Sequence, residues 1–407
     1  MNPSPRLASR YLARSLLALL ALSTTLPSAQ AQAISGEVEL FAELVEAVDK
    51  DLAKGTYHGV VVLVDAGGEH LLGLAAGMQD RDAERPMHMD TIFQIYSMSK
   101  PITAVAALIL LDEGKYTLDD PVEKHLPAFE GVTVGVERSE PAQQMIVRDL
   151  FRHTSGLTYG IFGNSEIDRM VREANLFDKS LTLAQVVERL GKLPLKHHPA
   201  TQFEYSLSTD VLGRLVEVLS GKPLDVFFRE RIFEPLGMKD TGFFVPREKA
   251  ARVAEMNARR GSSLVRVGAS ERTDPFVDPL FKSGGGGLFS TAADYLRFCR
   301  MLLGEGTLEG KRILKTETVR AMTSDQLASM GRSATIAGSG FGLGVAVMQG
   351  RTAKGPNNGS YWWGGLAGTG FWVDPVEEIV GIFMVQNMNE MQHSNTFQAR
   401  VYEALGR

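Results

Sequence analysis

The chain has 407 residues, 44% hydrophobic and 22% charged, which is ordinary for a globular protein and long enough for two domains or one large domain with an insertion. Its formal charge is −5 and no stretch gathers lysine and arginine into a basic stripe, which excludes nucleic acid as an expected partner. Cys299 is the only cysteine, so no intramolecular disulfide scaffold can form, and its setting, L-R-F-C-R-M-L-L, predicts a buried helical position.

At the N-terminus Arg6, Arg10 and Arg14 precede an apolar run over residues 16–22, followed by Pro27, Ser28 and Ala29-Gln30-Ala31. That order is expected of a Sec-type signal over residues 1–31, cleaved after Ala31 or Ala33, and of a soluble periplasmic or secreted protein. The apolar run is too short to span a bilayer, so no membrane span is expected. Removing residues 1–31 takes three arginines and no acids, leaving 40 basic against 48 acidic residues, a formal −8.

Residues 35–54 predict an amphipathic helix, with Leu40, Leu44, Val45 and Val48 on one face. The β-branched run 58–65 and residues 70–74 predict two strands joined by a glycine turn, in a sheet covered on one face. Residues 93–113 read as one helix with chemistry at its first turn. Ile102, Val105, Ala106, Ile109 and Leu110 make an apolar face, Pro101 lies where its missing N–H is harmless, and Gly114 ends the run. Ser97 is then at the helix N-terminus, where the dipole favours developing negative charge, and Lys100 shares its face three residues on.

A serine oxygen is a weak nucleophile until a base takes its proton, and a lysine of lowered pKa can be that base. Further along, residues 147–151, 181–190, 210–220 and 224–232 predict helices, so 115–290 is mainly helical. The glycine run 284–287 lacks phosphate-loop spacing and is read as a close backbone approach between two domains. Residues 291–303 predict a helix, 342–349, 370–374 and 379–386 strands, and 395–405 a terminal helix. Strands at both ends around a helical middle describe an α/β layer, residues 34–114 and 291–407, with an inserted all-α domain over 115–290.

Two stretches join Ser97. Tyr205, in a loop before a helix, can present its hydroxyl to a cleft, and near the Lys100 ammonium its phenolate would be favoured as a second candidate base. Residues 361–369, Y-W-W-G-G-L-A-G-T, suit a sheet-edge strand along which a ligand can lie.

The order Ser97-Met98-Ser99-Lys100, Tyr205-Ser206-Leu207, Trp363-Gly364-Gly365 resembles the serine β-lactamase-like hydrolases, in particular the class C β-lactamases and family VIII carboxylesterases. His153-Thr154-Ser155-Gly156-Leu157, Pro235-Leu236-Gly237-Met238 and the glycine run are weaker matches in the same order. The resemblance implies a mainly antiparallel sheet flanked by helices. It implies Ser97 as the acylated nucleophile, with Lys100 and Tyr205 sharing the proton transfers. It implies an oxyanion hole from the backbone N–H groups of Ser97 and Leu366, which meets the oxygen as it becomes tetrahedral. Tyr159 and Trp363 would line the acyl pocket beside Leu207, Gly364 and Gly365, and Asp210 would support the base.

The class C pattern has Asn where this chain has Leu207 and Lys where it has Trp363. Both changes resemble the esterase branch and suit a neutral acyl or alkyl group. The expected function is therefore a carboxylic-ester hydrolase. A β-lactamase or D-amino-acid peptidase and a non-catalytic binding relative are the alternatives. No G-x-S-x-G occurs, so an ordinary α/β-hydrolase is not expected; the eight histidines include no H-E-x-x-H, so no metal is expected, and the expected function uses no cofactor.

Overall fold

The computed structural model describes residues 31–268, 273–330, 339–350 and 355–406. The expected signal segment lies outside the described residues except for Ala31. The main sheet is built from the two ends of the chain: β1 (Ala31–Gly36), β2 (Gly59–Ala66), β3 (Glu69–Asp80), β4 (Ser339–Phe341), β5 (Ala346–Met348), β6 (Tyr361–Gly364), β7 (Gly370–Asp374) and β8 (Ile379–Met384). Its order is β1-β3-β2-β8-β7-β6-β5-β4 and every pairing is antiparallel. The two ends are stitched at β2 and β8, from Val61 opposite Met384 to Ala66 opposite Ile379.

All eight residues of β2 are buried, because the sheet is covered on both faces rather than on one. Val60, Val62 and Val64 pack with α1 (Ala42–Ala53) and the terminal helix through Leu44, Val48, Phe397 and Val401. Val61 and Leu63 point the other way, into the larger core. At the centre of that core lies α2 (Ser99–Asp112), with twelve of its residues buried. It is thus apolar around its whole circumference, not on one face, as befits a helix enclosed by others.

Three elements depart from their expected bounds. The helix expected over 35–54 begins only at Ala42, because Ser35 and Gly36 pair with Gly73 and Leu72 of β3. The helix expected over 93–113 begins only at Ser99. Phe93–Gln94 instead pairs with Phe289–Ser290, and a 3-10 turn, Tyr96–Met98, intervenes. The strand expected over 342–349 is a hairpin, β4 and β5, closed by a Gly342 N–H to Val345 carbonyl bond of 2.8 Å.

The middle of the chain supplies α3 (Val147–Phe151), α4 (Leu183–Gly191) and α5 (Ser208–Ser220), the last ending on Gly221 in the left-handed conformation. That segment also holds a hairpin, Asn257–Arg260 with Ser263–Arg266, joined in parallel by Asn387–Met388. The helix α6 (Ala292–Leu303) carries Cys299, fully buried as its setting predicts. Among the described residues no helix is long and apolar enough to cross a membrane.

Candidate active site

Ser97 sits in the 3-10 turn ahead of α2, where early N–H groups lack intrahelical acceptors. Tyr96, just before it, has φ +43°, a left-handed backbone that only a firmly held turn imposes on a residue with a Cβ. This sharp turn takes the chain from the Phe93–Gln94 strand into the helix and leaves Ser97 at the floor of a cleft.

The Tyr205 hydroxyl donates to Ser97 Oγ at 2.7 Å, and Lys100 Nζ lies 3.3 Å from the same oxygen. Lys100 is 1% exposed; its ammonium also donates to the Gly285 carbonyl at 2.7 Å and lies 4.5 Å from the centre of the Tyr205 ring. Residues 97, 100 and 205 therefore form one contact set.

The Tyr205 loop is held by the turn that begins at His153. Glu204 N–H donates to the His153 carbonyl at 2.8 Å, and Ser206 N–H donates to His153 Nδ1 at 3.3 Å. Nδ1 is thus an acceptor, which puts the neutral ring's proton on Nε2. Burial, and then the Lys100 charge, hold His153 well below its usual pKa. Its ring packs 4.9 Å from that of Tyr205. No sequence context nominated His153; only its place in a turn matching the family pattern pointed near it.

A pH dependence follows. The unfolded chain takes up the His153 proton below 6.5, whereas the folded chain resists it, so stability is full above 6.5 and falls as pH falls through that value. His153→Gln, which keeps an acceptor and removes the titration, is expected to lower the acid-side slope of thermal midpoint against pH between about 6.5 and 5.

Asp210, on α5, does not contact Tyr205 or Lys100 by hydrogen bond. One carboxylate oxygen accepts from Ser283 Oγ at 2.7 Å and from Gly285 N–H at 3.1 Å, while the other has no partner among the described residues. Burial raises its pKa, against the Ser283 bond and the Lys100 charge. Its support therefore passes through the glycine run: Asp210 fixes Gly285, whose carbonyl holds Lys100. A Cβ at Gly285 would fall 2.6 Å from Asp210 and 2.9 Å from the Tyr159 hydroxyl. At Gly285 the run is closely approached by side chains of the site itself.

Leu207 is a correction. It is fully buried, belongs to the core and does not line the cleft. Its carbonyl accepts from Asp210 and Val211 at the start of α5, which turns the side chain inward. Tyr159, Trp363, Gly364 and Leu366 do line the cleft, and burial, followed by the Asp210 charge, raises the Tyr159 pKa. Strand β6 is not a sheet edge, but its pairing with β5 stops at Trp362 and leaves Trp363 and Gly364 open toward the cleft.

Gly365 does not line the cleft either. A Cβ there would fall 2.3 Å from both the Ile95 carbonyl and Thr369 Oγ1. Its role is to pin the turn that carries Leu366, whose N–H has no partner among the described residues. Gly365→Ala is expected to cost about 1–3 kcal/mol in urea denaturation and to lower kcat by displacing that N–H. Among the described residues no cluster of histidine, cysteine and acidic side chains could hold a metal ion.

An alcohol, a phenol and an amine in contact at the head of a central helix, beside an antiparallel sheet flanked by helices, define a serine hydrolase of β-lactamase/transpeptidase-like fold. The chain belongs to the Beta-lactamase family, whose model matches residues 41–403. It is 36% identical over 357 residues to an uncharacterized protein of Mycobacterium tuberculosis, covering 83% of this chain and 88% of that one. It is 32% identical over 352 residues to the esterase EstB of Burkholderia gladioli, covering 82% and 87%. Among solved structures it is similar to EstCE1, a hydrolase with promiscuous acyltransferase activity, at 27% identity and a TM-score of 0.79, covering 90% of this chain and 98% of that one.

Proposed function

We propose that the protein cleaves carboxylic esters through an acyl-enzyme on Ser97. The observation that carries this reading is the Tyr205–Ser97–Lys100 contact set at the floor of a cleft walled by aromatic side chains. Ser97 Oγ attacks the ester carbonyl carbon while its proton passes to the oxygen of Tyr205, which reacts as its phenolate beside the Lys100 ammonium. The new oxyanion is met by the N–H groups of Ser97 and Leu366. The C–O bond then breaks, and the proton returns to the departing alcohol. Water repeats the sequence on the acyl group, releasing the acid and restoring Ser97.

The similarity to the esterase EstB supports esters over amides, as does the charge of the cleft. Of its two lysines, Lys196 is engaged by Glu204 at 2.8 Å and Asp168 at 3.2 Å, and Lys179 is exposed at the rim. Neither stands where Trp363 replaces the family's lysine. The arginine-led apolar N-terminus adds export to the proposal, which N-terminal sequencing of the mature protein tests.

The test of the activity is a panel of p-nitrophenyl butanoate, nitrocefin and a D-Ala-D-Ala peptide, with mass spectrometry of the trapped enzyme. The ester is expected to turn over fastest and to leave its acyl mass on Ser97. Faster nitrocefin turnover would replace the ester reading with the amide one.

A further inference from the structure

The cleft above Ser97 is larger than an ester bond needs. Its volume is about 1510 Å³, beyond the roughly 300–1,000 Å³ of most small-molecule sites. Among the described residues eleven large apolar side chains are exposed, and six of them line this one cleft: Ile161, Phe162, Phe177, Val277, Leu280 and Met391, each between 51% and 62% exposed. Apolar residues scattered singly over a surface need no explanation, but a gathering at one mouth marks a surface meant to be covered.

The aromatic rings are also arranged as a row. Centroid distances run from Phe281 to Phe177 at 6.4 Å, Phe177 to Tyr159 at 6.4 Å, Tyr159 to Tyr205 at 5.4 Å, Tyr205 to Trp363 at 5.6 Å and Trp363 to Trp362 at 5.8 Å. The row passes the Ser97 nucleophile instead of ending at it, because Tyr205 is the fourth of its six members. On both sides of the reacting carbon, apolar surface is therefore on offer. The lining carries Lys179 and Lys196 against Glu204, Asp274 and Asp278, so the walls present little net charge to a ligand.

We infer that the substrate is a bulky neutral ester carrying an extended apolar group on each side of the scissile bond. One group lies against Phe177, Phe281 and Leu280, the other against Trp362, Trp363 and Met391. The inference rests on the ester reading above and names the substrate class of the same site. The rim side chains are exposed without ligand and become covered when both arms are filled, which is the source of selectivity for long over short groups.

The experiment is kcat/KM along two series, both kept below micelle-forming concentrations. One is p-nitrophenyl esters of acids from acetate to decanoate, the other butanoates of alcohols from ethanol to decanol. Burial of a methylene is worth roughly fourfold, so with partial burial a rise of about tenfold or more is expected in each series. Phe177→Ser combined with Leu280→Ser is expected to flatten one series, and Met391→Ser to shorten the other. Each change is expected to leave the opposite series unchanged.

A fall beyond butanoate, a flat response in either series, or unchanged profiles in both variants overturns the inference while leaving the ester reading intact. No turnover of any ester by the unaltered protein overturns both.

Discussion

Ser97→Ala is expected to lower ester hydrolysis by about four orders of magnitude or more, and to leave the protein folded. The oxygen at position 97 is the atom that Tyr205 and Lys100 both address, at 2.7 and 3.3 Å, and that contact set holds no second alcohol to substitute for it. Its removal deletes the covalent route entirely, leaving only what binding and the oxyanion donors supply. The cost to stability is that of one or two hydrogen bonds, each about 1 kcal/mol, so the thermal midpoint should move by only a few degrees. Rate, trapped acyl mass and thermal midpoint are measured on the same preparation. A variant that still carries acyl mass, or keeps more than a tenth of the rate, removes Ser97 from the mechanism.

Tyr205→Phe is expected to lower kcat by about 10²–10⁴ with KM changed only a few-fold. The substitution takes the phenol oxygen and keeps the ring, which is what packs against His153 at 4.9 Å, Tyr159 at 5.4 Å and Trp363 at 5.6 Å. The walls of the cleft therefore survive, and substrate still binds. What disappears is the group that holds the Ser97 proton in flight, an interaction made in the transition state and so felt in kcat. If kcat falls less than tenfold, Lys100 acts as the direct base, and Lys100→Met becomes the variant with the larger loss.

The local parts of this molecule were readable from residue order because their causes are local. Ser97 and Lys100 share a face because three residues make most of a helical turn, whatever surrounds it. The end of α5 and the separation of β7 from β8 were readable from the spans 210–220, 370–374 and 379–386. The match of Tyr205 and Trp363-Gly364 to a family pattern carried the reading past the range of periodicity. Where it misjudged an element, a partner distant in sequence had intervened: β3 claims Ser35 and Gly36 from α1, and Phe289–Ser290 claims Phe93–Gln94 from α2.

By itself, the order of residues determined the class of the fold, the helix that presents Ser97 and Lys100, and the identity of the phenol that meets them. Tertiary structure alone decided which way loop side chains turn. Leu207 goes into the core and Tyr205, two residues earlier, into the cleft. Asp210 reaches Lys100 only through Gly285, and His153 holds the Tyr205 loop from 52 residues away. The same holds for the apolar rim, since nothing in the order of residues marks Ile161 or Phe177 as exposed. The physical reason is one of range. Backbone geometry repeats every few residues and is written into spacing, whereas burial and side-chain direction in a loop depend on whatever else arrives there when the chain closes.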